Sequence, residues 1–219
     1  MNVFDILGPV MIGPSSSHTA GAARIGRITL ALLGAPAAEA HILLHGSFAK
    51  TYKGHGTDKA LIAGIMGMAT DDARIRQAPE LAEKQGLKVI IETGEIDGAH
   101  PNTARVTLTD AGGRSVSLLG SSIGGGNILV TEINGMDVAV TGQQTTLIVL
   151  HRDAPGTIAS VTEVMAEAGA NICSFRLSRQ KRGGEAVMTI EVDGTFGPEV
   201  NERIQTLDNV FSSIMLQPI

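Results

Sequence analysis

Apolar and polar positions change rhythm along the chain, and each change marks an element. In residues 19–33, TAGAARIGRITLALL, the residues Ile25, Ile28 and Leu32 recur at helical spacing and predict an amphipathic helix. Gly34 and Pro36 follow as stop signals. The apolar run AHILLHGS, 40–47, predicts a short buried strand. TDKALIAGIMGMA, 57–69, predicts a second helix, with Thr57 as N-cap and Asp58 in a first turn where the dipole favours an acid. Between them lies a glycine-hinged loop through Gly54 and Gly56, and ELAEKQG closes one more helical segment. From Leu87 the period falls to two: LKVIIET, ARVTLTD, RSVSLLG and NILVTEI are strands divided by Gly, Asn or Asp turns.

A second unit begins near Gln143. TTLIVLHR is a strand, and APGTIASVTEVMAEAG a helix with Pro155 near its first turn and Gly169 at its end. NICSFRLSRQ and EAVMTIEVD are strands, GPEVNERIQTL is a helix and VFSSIMLQ a last strand. The order β-α-β-β-α-β is the ferredoxin-like unit. The fold class is therefore α+β, with an N-terminal α+β domain over 1–142 and a ferredoxin-like domain over 146–219. NGMDVAVTGQQ reads as a short linker between them.

Composition narrows the functional classes. The 219 residues are 43% hydrophobic and 18% charged, as expected of a soluble globular protein. The net charge is −5 and the densest basic cluster is RQKRGG, which argues against non-specific binding to nucleic acid or membranes. No apolar run approaches the ~20 residues that span a bilayer, and the start MNVFDILGPV lacks the basic and apolar regions of a signal peptide. A single cysteine excludes an internal disulfide framework and fits a reducing, cytoplasmic setting. It also means that this chain alone supplies no cysteine-ligated cluster.

Chemistry concentrates in four stretches. IGPSSSHTAG, 12–21, offers Ser15, Ser16, Ser17, His18 and Thr19 at a helix start, with Pro14 setting a turn. It reads either as a helix cap with solvated hydroxyls or as a site for a carboxylate or phosphate. A Ser-His nucleophile is disfavoured, because adjacent residues seldom bring Oγ and imidazole together and no Gly-x-Ser-x-Gly elbow exists. A phosphate-binding Walker loop is excluded, because no Gly-Lys-Ser/Thr follows. GSFAKTYKGHGTDKA, 46–60, sets His55 between two glycines, beside Lys53, Asp58 and Lys59. An imidazole there suits proton transfer or is simply a solvated residue. HPNTARVTL brings His100, Asn102 and Thr103, either a site or an Asx turn. GSSIGGGNILV brings Gly124, Gly125 and Gly126, either an anion-binding nest or a hairpin turn. His41, His45 and His151 lie in strand patterns with no ligand spacing, and Cys173 reads as a small core residue.

Two family resemblances follow. The RDAPGTIASVTEVMAEAGANI turn within its β-α-β-β-α-β order resembles an ACT domain, the small regulatory module of amino-acid metabolism. That resemblance implies Asp153 and Gly156 as possible effector contacts and oligomerisation through this domain. FDILGPVMIGPSSSHT, HGSFAKTYKGHGTDKA, HPNT and GSSIGGG, in that order before it, resemble the β subunit of the iron–sulfur-dependent L-serine dehydratases. The front domain is also similar to the allosteric substrate-binding domain of some D-3-phosphoglycerate dehydrogenases. Ala104 and Val106 stand where the dehydratase pattern leads one to expect bulkier Met and Phe, which puts the packing of that strand in doubt.

The dehydratase resemblance implies a lyase that converts L-serine to pyruvate and ammonia. It implies a [4Fe–4S] cluster carried by a separate α subunit, none bound by this chain, and no activity without that partner. By the same resemblance His55 is the proton-transfer candidate. His18 is implied as a second catalytic residue that, with the hydroxyls of Ser15, Ser16, Ser17 and Thr19, hydrogen-bonds the substrate; Lys53, His100, Asn102, Thr103 and the three glycines complete the wall. A regulatory serine-binding protein remains the alternative class. A free-standing serine hydrolase is remote, for want of an elbow and a triad.

Overall fold

The computed structural model describes residues 15–217; Pro14 and the FDILGPVMIG segment lie outside them. By its internal contacts the chain divides into two units, Met1–Asn134 and Gly135–Ile219.

The first helix starts earlier than the periodicity indicates. Ser16–Gly21 forms a wide π-type turn that runs directly into α1 (Ala22–Leu33). Gly34, in the left-handed region at φ 69°, ends α1 with its N–H on the Leu30 carbonyl. β1 (Ala37–His45) follows, and from Gly46 the chain is helical: α2 is Gly46–His55 and α3 is Thr57–Ile65. The expected loop is thus a helix. Its glycines hid the pattern, but Phe48 is fully buried and the Ser47 N–H is taken by the Pro101 carbonyl at 2.7 Å, which anchors the first turn. Gly56, at φ 71°, ends α2 and starts α3 at once, so Thr57 is the first helical residue rather than the cap. Its hydroxyl is buried without a partner.

A 3-10 turn (Ala73–Gln77) and α4 (Ala78–Lys84) lead to β2 (Lys88–Thr93), parallel to β1. β3 (Asn102–Asp110), β4 (Ser115–Gly124) and β5 (Asn127–Ile133) then run antiparallel, in the order β2-β1-β3-β4-β5. Helix α1 lies on this sheet: a Cβ on Gly120 of β4 would come within 3.1 Å of Ile25. Ala104 and Val106 are both fully buried, and Ala104 faces Gly120 across β3 and β4. Helices α1 and α3 cross where Gly26 meets Gly64, so closely that a Cβ on Gly26 would sit 2.5 Å from the Leu61 carbonyl oxygen.

The second unit opens with β6 (Met136–Val140), a strand where a linker was expected; Met136, Val138 and Val140 alternate inward. β7 (Thr145–Arg152), α5 (Thr157–Glu167), β8 (Ile172–Arg179), β9 (Glu185–Val192), α6 (Pro198–Gln205) and β10 (Val210–Leu216) give the β-α-β-β-α-β order. The sheet runs β10-β7-β9-β8. Leu147, Val149, Val161, Met165, Met188, Ile190 and Ile204 make its core. Cys173 is not in that core: β8 is an outer strand, and the thiol is exposed there.

Candidate active site

The site is built around His18, on the π-type turn. Ser15 caps that turn from extended backbone, its Oγ accepting the His18 backbone N–H at 3.3 Å. The same Oγ lies 3.3 Å from the ring nitrogen Nδ1. The other ring nitrogen, Nε2, lies 3.2 Å from Ser47 Oγ on the first turn of α2. Phe48 meets the ring edge-on at 5.3 Å between centroids. The His55 ring, from the last residue of α2, lies 4.7 Å away and tilted by 37°. Burial first, and then the neighbouring His55, lower the His18 pKa from its ordinary value, so this imidazole favours the neutral form.

Thr19 is buried with an unpartnered hydroxyl, while Ser16 and Ser17 are half-buried. Gly21 abuts Ser122 of β4 so tightly that any Cβ would collide with Ser122 Oγ, which is itself buried and unpartnered.

Further along the same strands, Thr103 Oγ1 donates to the His100 carbonyl at 2.5 Å. Its one hydrogen being spent, it accepts from Ser121 Oγ at 2.7 Å. His100 Nδ1 accepts the Asn102 N–H at 3.1 Å, and Asn102 Oδ1 is buried without a partner. Asn102 and Thr103 therefore begin β3 rather than forming an Asx turn. Gly124, Gly125 and Gly126 all have positive φ and turn the β4–β5 hairpin. Arg24 of α1 holds that hairpin by donating from Nη1 to the Gly126 carbonyl at 2.7 Å.

The fold thus brings His18 together with His55, Ser15, Ser47 and Phe48. Lys53 is exposed, its ammonium 5.8 Å from the Tyr52 ring centroid. Ser47, Ser121, Ser122 and Arg24 were not singled out in the sequence. Ser47 lies in GSFAKTYKGHGTDKA and Ser121 and Ser122 in GSSIGGGNILV, so their stretches carried a signal, whereas Arg24 carried none. Among the described residues no group of three His, Cys, Asp or Glu side chains is placed to hold a metal, and Cys173, the single cysteine of the sequence, belongs to the second unit.

In the second unit, Asp153 Oδ2 accepts the Gly183 N–H at 2.9 Å and Arg179 Nη1 at 2.8 Å. These partners, the backbone N–H first, hold its carboxyl below the usual range. Asp153 therefore ties the β7–α5 turn to the β8–β9 hairpin. Gly156 caps α5 at φ 90°, with open space where a Cβ would stand. His151 is buried, with Nδ1 donating to the Arg152 carbonyl at 2.8 Å. His41 pairs with Glu92 at 2.8 Å on the β1–β2 side of the sheet.

Residues 2–95 match the family described as serine dehydratase beta chain, and residues 147–212 match the AHAS small subunit-like ACT domain. The chain is 44% identical over 209 residues to the probable L-serine dehydratase beta chain of Bacillus subtilis, covering 95% of this chain and 94% of that one. It is 37% identical to the L-serine dehydratase beta chain of Peptoniphilus asaccharolyticus, over 88% of this chain and 87% of that one. D-3-phosphoglycerate dehydrogenase of Methanocaldococcus jannaschii is 25% identical over 85% of this chain and 35% of its own length. Identity of that extent over nearly the whole of both chains shows that the protein belongs to the family of L-serine dehydratase beta chains, with an ACT domain at its C-terminal end.

Proposed function

We propose that this chain acts with a separate α subunit, which carries a [4Fe–4S] cluster, to convert L-serine to pyruvate and ammonia. The observation that carries the reading is the near full-length similarity to the Bacillus subtilis and Peptoniphilus asaccharolyticus β chains. Loss of the serine α-proton and of hydroxide gives aminoacrylate, whose imine form hydrolyses to pyruvate and ammonia. That sequence needs a base near Cα and donors near the departing oxygen.

His55 is the proton-transfer residue on this reading. Its ring is half-buried at the end of α2, while both nitrogens of His18 already face serine hydroxyls. His18, Ser15, Ser16, Ser17 and Thr19 hold the carboxylate or hydroxyl of the substrate at the start of the π-type turn. His100, Asn102, Thr103, Gly124, Gly125 and Gly126 form the adjoining wall, and Lys53 meets substrate only if its exposed side chain swings in. In the ACT domain an effector would meet the open backbone at Gly156, since the Asp153 carboxylate is engaged within the unit.

The test is anaerobic co-expression with the α chain, followed by assay of pyruvate from L-serine with and without this chain. Pyruvate formation by the pair and not by either part supports the reading. A pair that binds L-serine without turnover would instead favour a regulatory serine-binding protein, the class to which the similarity with D-3-phosphoglycerate dehydrogenase points.

A further inference from the structure

We propose that Ser47 is a positioning residue for His18: its hydroxyl accepts the Nε2–H and fixes the ring in one tautomer, with Nδ1 as the acceptor. This rests on reading the π-type turn as the substrate-facing surface. The contacts themselves fit either tautomer, and the one proposed is that in which Ser15 Oγ does not accept from two N–H groups of the same residue. Ser15 Oγ already accepts the His18 backbone N–H, so one of its lone pairs is occupied and its single O–H is free to donate to Nδ1, 3.3 Å away. A neutral imidazole that accepts at Nδ1 carries its proton at Nε2. That proton needs an acceptor, and Ser47 Oγ stands 3.2 Å away.

The surroundings hold this arrangement. Ser47 is fixed through its backbone, its N–H on the Pro101 carbonyl at 2.7 Å and its carbonyl taken by Thr51 Oγ1 at 2.7 Å. The fully buried Phe48 ring meets His18 edge-on and limits its tilt. Burial and His55 lower the His18 pKa and so favour the neutral form, in which a tautomer is defined. Having accepted from His18, Ser47 keeps its own O–H to offer to a substrate oxygen. The sequence conceals the pairing because 29 residues separate the two side chains.

The test reads the tautomer directly in the purified full-length chain. Long-range proton–nitrogen NMR on 15N-histidine protein, above the titration range, separates the six histidines, and His18→Gln identifies the His18 signals. Wild-type His18 is expected as the Nε2–H tautomer. Ser47→Ala shifts the ratio toward Nδ1–H by about fivefold, the bias of one ordinary hydrogen bond, and Ser47→Thr restores it. A wild-type Nδ1–H tautomer, or an unmoved ratio in Ser47→Ala, overturns the assignment.

A second arm uses the enzyme reconstituted with the α chain. Ser47→Ala is expected to lower kcat by about fivefold with KM little changed. An unchanged kcat beside a shifted tautomer overturns the positioning role. If the wild-type pair makes no pyruvate at all, the proposed reaction fails while the tautomer result still decides the role of Ser47 in the ring's geometry.

Discussion

Replacing Gly26 by alanine tests whether the crossing of α1 and α3 is set by backbone contact. The new Cβ would lie 2.5 Å from the Leu61 carbonyl oxygen, 2.9 Å from the Ile65 nitrogen and 3.1 Å from the Gly64 carbonyl carbon. All three are backbone atoms, so no change of rotamer relieves them, and α3 must retreat by about 1 Å to reach ordinary contact. A retreat of that size forfeits a quarter to a half of each dispersion contact across the crossing. With about forty atom pairs at ~0.1–0.2 kcal/mol each, the loss is about 1–4 kcal/mol. The better helix propensity of alanine returns up to about 1 kcal/mol. A net loss of up to about 3 kcal/mol remains, within the range of overpacked cores generally. For a unit of this size that lowers the melting temperature by up to about 12 °C. Gly54→Ala is the control: it is also helical, but nothing stands within 4 Å of its Cβ position, so its melting temperature should hold or rise. Thermal unfolding of both variants by circular dichroism decides. A Gly26→Ala protein at least as stable as wild type would refute the argument, and an equal fall in both variants would refute its location.

Three further outcomes follow from the same geometry. In the reconstituted α/β enzyme, His55→Ala should lower kcat by about 100-fold or more; turnover near wild type would remove His55 from proton transfer. Asp72, which accepts from Arg74 through both the side chain (2.6 Å) and the backbone N–H (2.9 Å), has its pKa lowered to about 2. Carbon-13 NMR titration should return it toward the usual carboxylate range in Arg74→Ala. The lowered His18 pKa means that the unfolded chain binds its proton at higher pH than the folded chain does. Its contribution to stability is therefore full above the unfolded value of 6.5 and is lost as pH falls through the folded value. His18→Gln should flatten that part of the acid limb in urea unfolding, and an unchanged pH slope would exclude the linkage.

Much of this was legible in the sequence because hydrophobic periodicity is a local property. The helical stripe of Ile25, Ile28 and Leu32, the two-residue rhythm after Leu87 and the β-α-β-β-α-β order each need only neighbours along the chain. The motif stretches around His18 and His55 were likewise visible as clusters of unusual side chains. Tertiary structure decided what such patterns do not carry. Residues 46–55 are a helix because Phe48 is buried and Pro101 supplies an acceptor, two facts located elsewhere in the fold. Cys173 looked like a core residue by its apolar strand, but strand order put that strand at the sheet edge. The pairing of His18 with Ser47, and the meeting of Gly26 with Gly64, depend on which elements pack together. A residue's type fixes the bonds it is able to make, and only the packed chain fixes the partner.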